Sequence, residues 1–243
     1  MKIGIIGAGQ IGSCLASKFS KLGHTVSIAN SRGPASLKKL AEEIGAQAAT
    51  VEDVMENKEV IIVTIPQKNV LHLPKHLFEK LSEDVVVIDT GNYYPNLRDG
   101  VIPALVESGI DSLWVQEQLG SPIIKVFNSI LATSLNDLGR PKGEKNRIAL
   151  AVSGDAIKAK KVVFTLVDEL GFDSFDIGTI AQSWKQQPGS PIYCRDINLD
   201  ELKKRVDAMG DDWSDMRKKI IGQRNNDEVL MKSDYSTYLK GLH

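Results

Sequence analysis

Gly7-Ala8-Gly9-Gln10-Ile11-Gly12 sets three glycines at the spacing with which a backbone can cradle a pyrophosphate. Gly7 permits a tight turn, Gly9 leaves no side chain between backbone and phosphate, and Gly12 lets helix approach strand. The chemistry implied is anion binding by the free N–H groups and partial positive charge of a helix N-terminus. A second cluster, Asn30-Ser31-Arg32, stands where a carboxylate would take both ribose hydroxyls of NAD. A hydroxyl and a guanidinium there can instead hydrogen-bond a 2'-phosphate. The cluster predicts NADP(H) over NAD(H), with Lys38 and Lys39 able to add charge.

Groups able to move a proton are few. His24 lies beside a glycine turn. His72 and His76 are spaced for one helix face, yet no HExxH glutamate or third ligand accompanies them, so no metal site is expected. The YxxxK pair of short-chain dehydrogenases is absent, because Arg98 stands four residues after Tyr94. Lys125-Val126-Phe127-Asn128 matches the KxxN spacing of β-hydroxyacid dehydrogenases, but here it falls in a strand pattern. Alternation along a strand turns Lys125 away from the helical geometry, so Asn128 is the expected positioning residue and Lys125 is not expected to be catalytic. Asp89 reads equally as a turn-forming residue and as a catalytic carboxylate.

These residues must be carried by elements that repeat strand and helix. Apolar runs at 2–6, 25–29, 59–65, 85–89, 123–127, 147–153 and 172–177 read as strands, several of them apolar throughout, as strands covered on both faces are. Helical patterns follow at 10–22, 34–44, 51–57, 70–81, 102–107, 113–119 and 155–170, the last with Asp155 as its cap. The expected fold is α/β, a Rossmann-type doubly wound parallel sheet with a small helical C-terminal region. Residues 1–180 would form the NADP-binding domain, and 181–243 the helical region, closing the acceptor side and making a dimer contact. The carboxyl ends of parallel strands line the ligand crevice, which adds Thr64-Ile65-Pro66 and Thr90-Gly91-Asn92 to the candidates. They are small and mostly non-titrating, and suit a site that positions two rings for direct hydride transfer.

The chain has 243 residues and a net charge of -1, from 30 Lys and Arg against 31 Asp and Glu. Such a balance supplies no global field for nucleic acid or anionic lipid, so neither is an expected partner. Cys14 and Cys194 have no metal or redox spacing, and no apolar stretch approaches a membrane span; a cytoplasmic protein is expected.

The stretches IGIIGAGQIG, ANSRGP, VTIPQ, VIDTGN, KVFNSI, RIALAVSGD and SWKQQPGSPIY together resemble the NADPH-dependent reductases of the deazaflavin coenzyme F-420, in their bacterial dinucleotide-binding branch. The resemblance implies hydride passage between nicotinamide C4 and deazaflavin C5, with NADP(H) as cofactor and a deazaflavin or flavin as co-substrate. It implies Ser31 and Arg32 at the 2'-phosphate, Thr64 to Pro66 at the adenosine side and Asn128 near the rings. Asn92, Trp184 and Pro188 would stand on the acceptor side, with Trp184 equally readable as an anchor between domains, and the protein would be a homodimer. Two alternatives stay open: a β-hydroxyacid dehydrogenase or imine reductase using Lys125, and a non-catalytic NADP(H)-binding redox sensor.

Overall fold

In the computed structural model, which describes residues 1–242, the apolar runs pair into one eight-stranded sheet. The strands are β1 (Lys2–Ile6), β2 (Thr25–Ala29), β3 (Gln47–Ala48), β4 (Val60–Val63), β5 (Val86–Asp89), β6 (Ile124–Lys125), β7 (Ala149–Ser153) and β8 (Asp173–Gly178). Their order is β3-β2-β1-β4-β5-β6-β7-β8, the doubly wound order of a Rossmann fold extended by two strands. On one face lie α1 (Gln10–Lys21), α2 (Lys38–Ile44), α6 (Ala132–Asp137) and α7 (Ile157–Glu169), which bury Leu15, Phe19, Ala41, Leu135 and Val163. On the other lie α3 (Lys75–Phe78), α4 (Pro103–Ser108) and α5 (Asp111–Leu119), with Phe78, Leu105 and Trp114 inward.

The sheet is not parallel throughout, as the alternation of elements suggested. β6 and β7 run antiparallel through the single pair Lys125 and Ser153. A parallel return needs a crossover long enough to carry the chain back across the sheet, and α6, absent from the sequence reading, provides only about 9 Å of helix. The expected strand over 123–127 also shrinks to two residues, because Phe127 takes a φ of 62° and turns the chain out of the sheet. The helix expected over 70–81 is broken into a 3-10 turn, Gln67–His72, and the one-turn α3, with Pro74 between them. His72 and His76 therefore do not share a helix face. Asp155 does not cap α7; its Oδ1 accepts the Ile180 N–H at 3.3 Å.

The tail forms α8 (Leu199–Met209), α9 (Trp213–Ser233) and α10 (Tyr235–Lys240). Its sparse apolar residues are spent on the body: Leu202, Val206, Met209 and Ile220 form one cluster with Ala149, Ala151, Ile177 and Trp184. A second cluster joins Tyr238 and Leu242 to Tyr94, Tyr193 and Cys194. Glu228 of α9, fully buried, accepts the Asn96 and Leu97 N–H groups at 2.9 and 3.0 Å, which pins the turn Pro95–Asp99 that follows β5. No helix among the described residues is long and apolar enough to cross a membrane.

The same junction buries Asp111, whose Oδ2 accepts the Tyr93 N–H at 3.1 Å while Oδ1 has no partner. Burial pushes its carboxyl up to about 6, against the pull of Arg224 and Lys125. A carboxyl raised in the folded state binds its proton more tightly there than in the unfolded chain. Its contribution thus favours the fold at low pH and is lost as pH rises through about 6. Asp111→Asn is expected to exceed the parent in stability by roughly 1–3 kcal/mol at pH 8, with the gap closing below pH 4, read by urea denaturation.

Candidate functional site

β1 runs out at Ile6, and Gly7, at φ 118°, turns the chain while its N–H bonds to Ala29 O at 2.8 Å. A Cβ on Gly7 would lie 2.1 Å from Thr64 O, and one on Gly12 2.0 Å from Gly7 O, so both positions exclude a side chain by close backbone approach. Gly9 differs: a Cβ there meets nothing within 4 Å. Its glycine is not demanded by packing. What it keeps clear is the space over the N-terminus of α1, where Gly9 caps the helix without a side-chain bond and leaves the first N–H groups free. Gly9→Ala is expected to fold with stability within about 1 kcal/mol of the parent. Its affinity for NADPH and NADH should fall together by about tenfold or more, as titration by nucleotide fluorescence would read.

That space opens into a cleft of about 580 Å³, in which the structure unites Gly7, Ala8, Gly9, Asn30, Ser31, Arg32, Thr64, Ile65 and Pro66. Parallel pairing of β1 with β2 and with β4 brings the three strand ends side by side. Asn30 shapes the turn: its Oδ1 accepts the Arg32 N–H at 2.9 Å and its amide donates to Ser36 Oγ at 3.1 Å. The exposed side chains of Ser31 and Arg32 are left to project at the cleft. Val51, Asn69, His72 and Leu73 also line it and were not foreseen. The last three lie on the 3-10 turn after Pro66 or just beyond it, and a broken helix there was not legible from periodicity.

The other candidates lie elsewhere. Gln10 lines a different cavity, and neither Ile11 nor Gly12 lines the cleft. Thr90 and Gly91 close β5 in buried positions, where the Gly91 N–H donates to Asp89 Oδ1 at 2.7 Å. Asp89 sits opposite Lys125 in the register of β5 and β6. Lys125 Nζ is 2.8 Å from Asp89 Oδ2 and also bonds Gly91 O, Ser112 Oγ donates to the same carboxylate at 2.9 Å, and both charged side chains are 1–2 % exposed. The pair is therefore closed on itself.

Asn128 follows the kink at Phe127 and is equally engaged. Its amide donates to Gln186 O at 2.7 Å and Asn92 Oδ1 at 3.1 Å, while its Oδ1 accepts from Gln186 Nε2 at 2.8 Å. Gln186, which the sequence did not single out, also accepts from Ser153 Oγ at 3.0 Å. This lattice ties the end of β6 to the loop after β5, and its exposed member is the half-buried Asn92. Trp184 and Pro188 are both buried, and the Trp184 ring packs on Trp213 of α9 at 5.4 Å between centroids. Among the described residues no group of three His, Cys, Asp or Glu is placed to hold a metal ion.

The sheet has the Rossmann-type strand order, and its glycine loop opens on a cleft bearing a serine and an arginine. The chain belongs to the family of coenzyme F420-dependent NADP oxidoreductases, whose model matches residues 2–93. It is similar to the hypothetical protein SMa0349 of Sinorhizobium meliloti, with 30% identity over 80% of this chain and 93% of that one and a TM-score of 0.66. A protein from Arthrobacter sp. FB24, provisionally assigned as an F420-dependent NADP-reductase, shares the fold at 24% identity, covering 76% and 87% of the two chains with a TM-score of 0.62. Among curated proteins it resembles YjhV of Escherichia coli, 50% identical over 56 residues, 23% of this chain and 41% of that one. It also matches the 3-sulfolactaldehyde reductase of the same organism, 29% identical over 115 residues, 46% and 38% of the two chains. The chain thus spans about two fifths of the length of the curated relatives it matches.

Proposed function

We propose that the protein transfers hydride between NADP(H) and a deazaflavin or flavin-type ring. The residues present fit the dinucleotide: Gly9 holds open the space that a Cβ would fill, and Ser31 and Arg32 project from the turn that Asn30 shapes. Gly7 to Gly12 would cradle the pyrophosphate, Ser31 and Arg32 would hold the 2'-phosphate, and Thr64 to Pro66 would border the adenosine. Bound there, the nicotinamide supplies the hydride. The chain's own part is to orient the rings and exclude water, with Asn92 as the half-buried end of the Asn128 and Gln186 lattice.

The observation that carries the reading is the closed pair of Asp89 and Lys125. The carboxylate and the lysine at the ends of β5 and β6 neutralise each other in the interior, so neither reaches a substrate hydroxyl or imine. A reaction between two rings needs no such group at the transferring carbon, whereas the dehydrogenase reading needs Lys125 free. A panel of oxidised acceptors, followed by loss of NADPH absorbance with NADH alongside, tests it. Turnover with a deazaflavin or a free flavin and preference for NADPH are expected. Turnover confined to carbonyl or imine substrates would refute the reading.

A further inference from the structure

β1 lies between β2 and β4 in the sheet, so the dinucleotide cleft has two walls, one following each neighbour. After β2 comes the Asn30 to Arg32 turn. After β4 come Pro66 and the 3-10 turn Gln67–His72, whose last residue lines the cleft beside Asn69 and Leu73. The turn is held from behind. Gln67 and Val70 are buried, the Asn69 N–H bonds to Pro66 O at 2.9 Å, and the Leu73 N–H bonds to Val70 O at 3.0 Å. None of these bonds uses the His72 imidazole, which is exposed. Among the described residues the ion-paired histidine is His24, with Glu169 at 2.9 Å, and not His72.

The charge of the cleft turns on few groups. Lys38 and Lys39, able by their place in the sequence to add charge, do not line it, and among the described residues no Asp or Glu does. Glu52 and Asp53 follow the lining residue Val51 but are exposed outside the cleft. α5 packs against the 3-10 turn and carries Asp111 and Glu117. Lys68 of the turn donates from Nζ to Arg98 O at 2.8 Å, and its N–H reaches Asp99 Oδ1 at 3.5 Å. None of these groups lines the cleft, nor do Lys75 and His76 of α3. Arg32 and His72 remain. An arginine keeps its charge throughout the pH range of a folded protein, whereas a histidine ordinarily changes charge between pH 5 and 8. A phosphate monoester carries close to two negative charges above pH about 6, so Arg32 alone balances only one of them.

We infer that His72 is a second residue selecting NADP(H) over NAD(H), giving the 2'-phosphate a positive charge that is present in mild acid and lost toward pH 8. The inference rests on the reading of this cleft as an NADP(H) site with Arg32 at the phosphate. A dianion brought beside an imidazole favours its charged form, so nucleotide and proton bind together, each raising the affinity for the other. NAD(H), which lacks the phosphate, has no such coupling. The discrimination that Arg32 provides at every pH thus gains an increment as the solution becomes acid.

Titration calorimetry at low salt with the oxidised nucleotides NADP and NAD tests it, on the parent and His72→Gln. At pH 6 the parent is expected to bind NADP about fivefold more tightly than the variant, with the gap closing by pH 8.5 and NAD affinity alike in both. The phosphate's own titration is common to the two proteins, so the difference between them belongs to the imidazole. Repeating the titration at pH 7 in two buffers of unlike ionisation enthalpy counts protons. The parent should take up more than His72→Gln on binding NADP, and the same on binding NAD. His72→Lys, whose charge persists, should keep the about fivefold advantage over His72→Gln at pH 8.5. Both variants should melt with the parent, because the exposed ring carries none of the turn's bonds. A gap in NADP affinity that does not change with pH overturns the inference and leaves the cleft an NADP(H) site. Equal losses for NADP and NAD in His72→Gln overturn it too, placing the ring on the adenosine. A parent that binds NADP no more tightly than NAD at any pH removes the reading of the cleft itself, and the role of His72 with it.

Discussion

Replacing Arg32 by alanine raises the Kd for NADPH by about tenfold to a hundredfold and leaves that for NADH within about twofold, the loss of charge-assisted hydrogen bonds worth about 1.5–3 kcal/mol. The effect is confined to one nucleotide because of how the turn is built. Asn30 holds the Arg32 backbone from its own side chain, so truncating the guanidinium leaves the loop in place. The exposed guanidinium has no ion pair among the described residues, and its removal strands no partner inside the protein. Gly9→Ala, by contrast, obstructs the pyrophosphate common to both nucleotides. Parallel titrations of the two variants with NADPH and NADH check the division of labour, and equal losses for both nucleotides in Arg32→Ala would show that the 2'-phosphate is held elsewhere.

Lys125→Met costs about 3–5 kcal/mol of stability, because it leaves the Asp89 carboxylate charged and buried without its partner. The double variant with Asp89→Asn recovers about half of that loss or more, since the amide needs no counter-charge and its oxygen still accepts the Gly91 N–H. Urea denaturation of the two single variants and the double gives the coupling. The cycle also separates structure from chemistry: turnover per folded molecule survives in the double variant if the pair only shapes the end of β5. Turnover abolished in a folded double variant would restore Lys125 as an acid or base.

The glycine loop and the Asn30 to Arg32 turn were legible because each rests on local chemistry, one on what a missing Cβ allows and the other on which charge stands at a strand end. The apolar strands were legible by their pattern. The closed pair of Asp89 and Lys125 was not: the two are 36 positions apart, and only the register of β5 against β6 sets them opposite. The shortening of β6 depends on one residue, Phe127, in a conformation its type seldom adopts. Gln186 sits in a polar segment, and nothing in its neighbours announces that it is buried against Asn128. The tail's role in the core was hidden by dilution, since a few apolar residues among many charges do the packing.

The Glu228 anchor bears on the order in which the molecule is completed. The turn it holds precedes it by 132 positions in the chain. At about 5–20 residues per second on a ribosome, that turn waits on the order of ten seconds for its clasp. The dinucleotide cleft, drawn wholly from residues up to Leu73, needs nothing made so late. A growing chain thus has its nucleotide cradle laid down early, while the rim beyond β5 stays untied until the last helices emerge.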